Sequence, residues 1–384
     1  MYTRMLNIDP DSTESAILFG PRGTGKTYWI KATFPGALYL DLLETSTYKD
    51  LLAEPSRLEH FIPPHYRDWI IIDEVQKIPE LMNEVHRLIE HQGCKFILTG
   101  SSARNLRKKG VNLLAGRALN YYMHPLTAQE LANDFEIART LQYGLLPKVW
   151  QIKDPKHYLE TYIVTYLREE VLQEGLTRNL GDFTRFMEVA SFSQGGALNL
   201  SSIAREVGID RRTVESYFAI LEDLLIASTL PVFTKRAQRQ LVSAPKFYYF
   251  DVGVYRAIRP KGPLDSVEEM DGSSLETIFL QHLRAYNDYH RLGYQLFYWH
   301  TRGGAEVDFV AYGELGLLAF EIKRKTKYQK SDLSSLKEFK KDYPIARCYL
   351  LYGGAQKQYV DGITIIPLVE ALFVLVDLLK KPAS

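Results

Sequence analysis

The stretch Gly20-Pro21-Arg22-Gly23-Thr24-Gly25-Lys26-Thr27 decides how the amino-terminal part of this chain is read. It satisfies the spacing G-x-x-x-x-G-K-[ST], it follows the apolar run Ala16 to Phe19, and a helical pattern opens at Lys26. Glycines at these positions let the backbone curl until its N–H groups face a phosphate, and the start of a helix adds favourable partial charge. All eight residues are therefore assigned to a phosphate cradle, with Lys26 directed at the β- and γ-phosphates of a nucleotide and Thr27 at its Mg2+. A merely glycine-rich turn is the alternative.

A second element lies some fifty residues on. Trp69-Ile70-Ile71-Ile72 delivers two carboxylates, Asp73 and Glu74, to the carboxyl end of a predicted strand. This is a Walker B arrangement, in which Asp73 holds Mg2+ through water and Glu74 orients and activates the attacking water as general base. An acidic pair at a helix amino terminus would look the same in isolation. The run from Lys95 to Leu98 then ends in Thr99-Gly100-Ser101-Ser102, where Ser101 is placed to sense the γ-phosphate, although such residues also suit a turn or a cap. Arg104 and Arg117 are candidates for an arginine finger acting across a subunit boundary, with Arg117 in Leu114-Ala-Gly-Arg117 the better of the two. Apolar runs at 16–19, 37–42, 69–72, 95–98 and 118–123, separated by helical patterns, predict a doubly covered parallel sheet.

These motifs, together with Pro125-Leu-Thr-Ala-Gln-Glu130-Leu, resemble the bacterial and archaeal AAA-type ATPases that carry a carboxy-terminal domain of long-unassigned function. The resemblance implies a P-loop fold of the additional-strand, catalytic-glutamate (AAA+) type, with ATP and Mg2+ as cofactors and Glu74 and Lys26 as catalytic residues.

Downstream, Leu200 to Val207, Gly208 and a second helical pattern opened by Asp210 read as a helix-turn-helix, with Ala204, Ile209, Val214 and Tyr217 forming its small core. With the later apolar runs at 229–233 and 247–250 as wing strands, it looks like a winged helix. Arg211 and Arg212 open the second helix, where base edges or phosphates are met, and Lys235, Arg236 and Arg239 follow in the wing. Such modules also serve structural or protein-contact roles.

The tail carries a second chemical pattern. Glu276 lies on a predicted helix running from Gly272 to Leu283, Asp308 in Gly303-Gly-Ala-Glu306-Val-Asp308, and Glu321 and Lys323 in Phe320-Glu321-Ile322-Lys323. On a strand Glu321 and Lys323 share a face. A buried strand should not carry charge without a partner or a metal. Glu276, Asp308 and Glu321 are therefore candidate Mg2+ ligands, and Lys323 a candidate catalytic residue that stabilises charge on a phosphodiester. The pattern resembles the PD-(D/E)xK nuclease fold, which implies a restriction-endonuclease-like α/β domain; Val307 stands where the fold's Pro is usual. The alternative is a tail in which Lys323 neutralises Asp308 and Glu321 and the fold is kept for binding. Residues 323–341 place eight basic residues against Asp332 and Glu338, a stretch suited to a phosphate backbone or to a solvated helix face.

Composition bounds these readings. The chain has 384 residues, 46% of them hydrophobic and 24% charged, which excludes a single small module and a disordered chain. Lys+Arg number 47 against 46 Asp+Glu, so any nucleic-acid surface must be local. Two cysteines exclude a disulfide framework and suggest a reducing cytoplasm. No secretory leader pattern is expected at the amino terminus. The apolar stretch 363–379 is broken by Pro367, Glu370 and Asp377 and reads as a strand and an amphipathic helix, with no membrane partner. The expected order is an ATPase core (1–130), a helical linker (131–195), a winged helix (196–245) and a nuclease-like domain (246–384). That order suggests an ATPase coupled to a DNA-binding, nuclease-like tail, and an arginine finger acting in trans would call for a homo-oligomer. The alternative is an ATP-switched regulator or protein-remodelling ATPase with an inert tail.

Overall fold

A computed structural model describes residues 2–102, 114–167, 179–235, 241–262 and 267–380. The chain forms two compact units, Met1–His124 with Asp223–Ile226, and Pro125–Glu222 with Ala227–Ser384.

In the first unit five strands, β1 (Ser15–Phe19), β2 (Leu38–Asp41), β3 (Trp69–Asp73), β4 (Lys95–Gly100) and β5 (Ala118–Tyr122), form one sheet in the order β2-β3-β4-β1-β5. Every pairing is parallel, with Ile17 opposite Leu98 and Ile72 opposite the same Leu98 from the other side. β4 is thus inserted between the strand that feeds the glycine-rich loop and the strand that carries Asp73. β1 and β3 are buried along their whole length, which explains why they read as unbroken apolar runs and not as alternating ones. Helices α1 (Lys26–Thr33), α2 (Thr45–Ala53) and α3 (Leu81–Gln92) make the crossovers. α3 buries Leu81, Met82, Val85 and Leu88, one face at helical spacing, in a core with Ile17, Phe19, Ile70, Ile72, Phe96 and Leu98. Because the strands are parallel, the residues following β1, β3 and β4 gather at a single sheet edge, where ligands of open α/β sheets bind.

The second unit begins with short helices α4 (Ala128–Leu131), α5 (Ile137–Tyr143) and α6 (Pro155–Thr161), then α7 (Leu180–Ser191). α8 (Leu200–Val207) and α9 (Arg211–Asp223) follow, joined through Gly208, and then the antiparallel pair β6 (Ala227–Leu230) and β7 (Lys246–Tyr249). Asp210 caps α9 by accepting from Thr213 N at 3.0 Å. Ala204, Val214 and Tyr217 are buried as expected, and Ile209 is half-buried. Tyr217 also meets Phe183 edge-to-face and Phe186 at a tilt, both on α7, so that helix completes the core. After α9 the chain turns at Leu224 and Leu225 and enters β6. The expected boundary at 245/246 falls between β6 and its partner β7.

After α10 (Val252–Ile258), the long α11 (Val267–Tyr289) extends beyond both ends of the predicted 272–283 helix. Strands β8 (Gln295–His300), β9 (Glu306–Gly313), β10 (Gly316–Lys323), β11 (Arg347–Tyr352), β12 (Gln358–Val360) and β13 (Ile363–Pro367) form a mixed sheet in the order β12-β13-β11-β10-β9-β8. α11 packs on it through Phe279, which meets Phe309 and Phe320. α12 (Ser334–Asp342) packs through Phe339 against Trp299. The apolar stretch ending the chain divides into β13 and α13 (Leu368–Lys380), and no helix among the described residues is long and apolar enough to cross a membrane.

Candidate functional site

The glycine-rich loop is held from both sides. Gly20 N donates to Gly100 O at 3.3 Å, and a Cβ on Gly20 would lie 2.5 Å from the Met123 carbonyl oxygen, so only glycine fits there. Gly25, at φ 94, turns the loop into α1 through a conformation that side chains disfavour. Arg4, which the sequence did not single out, donates to Thr24 O and His124 O, both at 2.6 Å, and fastens the loop to the end of β5. Lys26 is buried and turned onto the loop itself, its Nζ 2.6 Å from Gly20 O and 3.3 Å from Pro21 O. Thr24 Oγ1 donates to Pro21 O at 2.8 Å, while Arg22 and Gly23 lie toward the outer side of the turn, Gly23 exposed.

Asp73 is the hub of this edge. It is buried, and three hydroxyls donate to its carboxylate: Thr27 to Oδ2 at 2.7 Å, Tyr39 to the same oxygen, and Thr99 to Oδ1. Burial, reinforced by the Asp73 charge, holds the Tyr39 phenol well above its usual range, so it serves as a donor. Thr99 Oγ1 also accepts from Glu74 N at 3.1 Å, tying the inserted strand β4 to both carboxylate residues. Glu74 sits at φ 61 in the left-handed region, an unusual conformation for a non-glycine residue and of a kind found at functional sites. Its carboxylate accepts from Gln76 Nε2, which also donates to Ser101 Oγ at 3.1 Å. Thr27, Asp73, Thr99, Glu74 and Ser101 are thus brought together at one end of the sheet. Tyr39 and Gln76 join them with no motif to announce them, although Gln76 lies only two residues after Glu74. Thr27 Oγ1 and the Asp73 carboxylate are hard oxygen donors beside the loop and fit Mg2+. Arg117 pairs with Glu90 of α3 in its own unit. Arg104 lies outside the described residues, as do Arg236 and Arg239.

In the second unit Glu276, Asp308, Glu321 and Lys323 belong to one charged cluster. The β9–β10 ladder ends at Phe309 opposite Phe320; just beyond it, Ile322 N donates to Asp308 Oδ2 at 2.8 Å, so the side chain takes over where the backbone pairing stops. Lys323 Nζ donates to Glu321 Oε1 at 2.6 Å, as the shared strand face predicts. Burial, and then the Asp308 charge, pushes the Glu276 carboxyl up to about 7 and the Glu321 carboxyl well above its usual range. The centre of the cluster was not foreseen. Lys246, only 4% exposed, places Nζ 3.6 Å from Asp308 Oδ1, 3.8 Å from Glu276 Oε2 and against Glu306. Burial opposes its charge, but Glu276, Asp308 and Glu306 outweigh burial and hold it protonated. Tyr248 OH donates to Glu276 Oε2 at 2.8 Å, and His300 Nδ1 lies 3.3 Å from Glu306 Oε2.

This arrangement puts an ammonium beside two of the three carboxylates expected to bind Mg2+. Among the described residues no group of three or more His, Cys, Asp or Glu is placed to hold a metal ion. The physical reason is that an ammonium lies between Glu276 and Asp308, and a divalent cation would meet its repulsion there. The only signal for Lys246 in the sequence is a charge opening the apolar run Phe247 to Phe250.

The basic stretch is partly consumed. Lys323, Arg324, Lys325 and Lys337 pair with Glu321, Asp271, Asp332 and Asp361, and Lys340 donates to Gly362 O at 2.6 Å. Lys327, Lys330 and Lys341 are exposed and make no ion pair among the described residues. Arg211 pairs with Glu215 at 3.0 Å, Arg212 is exposed, and Lys235 donates to Gln295 Oε1 at 3.2 Å.

Residues 12–132 match the AAA domain. The rest of the chain matches two domains of unknown function, DUF8612 over residues 134–265 and DUF4143 over 271–371. No curated protein matches the chain. Among solved structures, the Aeropyrum pernix Orc1 protein in complex with DNA is 13% identical, covers 64% of this chain and 86% of its own, and has a TM-score of 0.25. Protein VC1899 from Vibrio cholerae is also 13% identical, covers 95% of this chain and 97% of its own, and has a TM-score of 0.24. The AAA domain therefore rests on the matched residues 12–132 together with the parallel sheet and its edge.

Proposed function

We propose that this protein binds and hydrolyses ATP with its AAA domain and engages DNA with its second unit. The observation that carries the reading is the hydroxyl–carboxylate network in which Thr27, Asp73, Thr99 and Glu74 meet beside the glycine-rich loop. Gly20, Pro21, Arg22, Gly23, Thr24 and Gly25 wrap the phosphates with their backbone. Lys26 exchanges the Gly20 and Pro21 carbonyls for β- and γ-phosphate oxygens, which remove its need for those partners. Thr27 and Asp73 would hold Mg2+, which when bound neutralises phosphate charge. Glu74 accepts a proton from the attacking water, and the Gln76–Ser101 pair orients its carboxylate. Arg117 would supply positive charge to the γ-phosphate of a neighbouring copy after leaving Glu90, so turnover would depend on oligomer formation.

The DNA reading is supported by the helix-turn-helix pair α8–α9 with its two-stranded β6–β7 extension, a winged-helix arrangement, with Arg211 and Arg212 at the start of α9. Lys327, Lys330 and Lys341 add phosphate contacts. The mixed sheet flanked by α11 and α12, with Glu276, Asp308, Glu321 and Lys323 in one cluster, supports a nuclease-like tail. With Lys246 at its centre, the cluster favours a tail that binds without cutting. Metal-dependent cleavage is the second reading, favoured by the convergence of those four residues.

The test is ATP turnover. Lys26→Ala abolishes nucleotide binding, whereas Glu74→Gln binds ATP and turns it over at least about a hundredfold more slowly, the usual weight of a general base. Undiminished turnover in Glu74→Gln would overturn the assignment. Cleavage of linear or branched DNA with Mg2+ or Mn2+, lost in Asp308→Ala and Lys323→Ala, would establish the second reading over the first.

A further inference from the structure

Lys246 is not a lysine that happens to reach a carboxylate. Its backbone is pinned on both sides. It pairs with Leu230 of β6 and forms a bridge with Ala197, just ahead of α8. Around it Leu198 N donates to Pro245 O at 2.9 Å, Gly195 N to Phe247 O at 2.8 Å and Phe247 N to Gly196 O at 3.1 Å. The side chain leaves this fixed point and ends 5.4 Å over the Tyr298 ring, among Glu276, Glu306 and Asp308. Glu276 from α11, Tyr298 from β8 and both Glu306 and Asp308 from β9 converge on one ammonium, and Tyr248 of β7 supports Glu276. A buried carboxylate left without a close cation is strongly destabilised, so this cluster requires one at Glu276, Glu306 and Asp308, and the fold supplies it from its own chain.

We propose that Lys246 is the resident cation of the tail cluster. It holds the place a divalent ion would need, so the wild-type tail takes up no Mg2+ or Mn2+ at Glu276, Glu306 and Asp308, and gains that capacity only when the ammonium is removed. This deepens the reading of a tail that binds without cutting, and gives it a cause in a single side chain. It also makes cation occupancy a property of β7, a strand hydrogen-bonded to the segment that leads into the helix-turn-helix, so that displacement of that segment would carry Lys246 with it.

Mn2+ binding to the nucleotide-free full-length protein, followed by the loss of the free-ion electron paramagnetic resonance signal, tests this. Wild type and Asp308→Asn should bind the same number of ions. Lys246→Met should bind one more Mn2+ per chain, displaced by Mg2+, and the double variant Lys246→Met/Asp308→Asn should lose it. Mn2+ should also raise the melting temperature of Lys246→Met and leave that of wild type unmoved. An ion on the wild-type protein that Asp308→Asn removes overturns the proposal, as does a folded Lys246→Met that gains none. Should Lys246→Met fail to fold, the comparison of wild type with Asp308→Asn decides by itself. DNA cleavage is scored separately: a wild-type protein that binds the ion yet does not cut refutes this inference and leaves the non-cutting tail standing.

Discussion

His282 of α11 is fully buried, and its imidazole completes a backbone cap elsewhere in the second unit. Ala128 N donates to its Nε2 at 2.8 Å, and its Nδ1 donates to Ile278 O at 2.7 Å. Ala128 opens α4, where Thr127 and Glu130 form a capping box, so His282 satisfies a further orphan donor of that turn. A proton on Nε2 would face another N–H, and burial pushes the imidazole down to about 4. The unfolded chain, near 6.5, therefore binds more protons than the folded one between pH 6.5 and 4. Stability from this group is complete above pH 6.5 and falls as the pH drops. Lowering from 6.5 to about 4 corresponds to about 3 kcal/mol in all, of which about 2 kcal/mol is lost between pH 7 and pH 5. His282→Gln keeps an acceptor for Ala128 N but cannot titrate. Urea unfolding of both proteins at pH 7 and pH 5 should show wild type losing about 2 kcal/mol more than the variant over that interval. Equal losses, or an NMR titration of the His282 ring near its ordinary value, would refute the argument.

Gly20→Ala drives a methyl into the Met123 carbonyl and shifts the phosphate loop; with overpacking worth about 1–3 kcal/mol, fluorescent-nucleotide titration should show affinity reduced about tenfold or more. Thr99→Ala removes both the donor to Asp73 and the acceptor for Glu74 N, at a cost of about 1–3 kcal/mol, and should lower ATP turnover while nucleotide binding persists. Thr99→Ser, which keeps the hydroxyl, should restore turnover; a turnover loss shared equally by both variants would argue against the hydrogen bonds. Asp251→Ala leaves Leu145 N, Gly253 N and Val254 N without their buried acceptor and should lower the unfolding free energy by about 3 kcal/mol or more, with Asp251→Asn intermediate, as read by chemical denaturation.

The nucleotide edge was legible because its chemistry is local. Gly20 to Thr27 is one continuous turn, and Trp69 to Glu74 is one strand with its exit, so residue type and spacing carry the reading. Glu321 and Lys323 were legible for the same reason: the two-residue period of a strand places them on one face, and Lys323 does donate to Glu321. Tyr39, Gln76 and Arg4 were hidden because a lone tyrosine, glutamine or arginine has no spacing to betray it: Tyr39 and Arg4 acquire their partners only when segments far apart in the chain are laid side by side, and Gln76, two residues from Glu74, reaches Ser101 only because β4 lies beside β3.

The sequence by itself determined that a glycine-rich loop opens α1, that two carboxylates end β3, and that the tail holds four charged residues in or beside buried elements. Tertiary structure alone decided that β4 lies between β1 and β3, which puts Thr99 within reach of Asp73 and Glu74. It also decided what balances the tail carboxylates. Lys246 precedes Asp308 by sixty-two positions, and no periodicity links them. They meet because β7 pairs with β6 and with the residues before α8, and because a buried group of carboxylates is stable only with a cation among them.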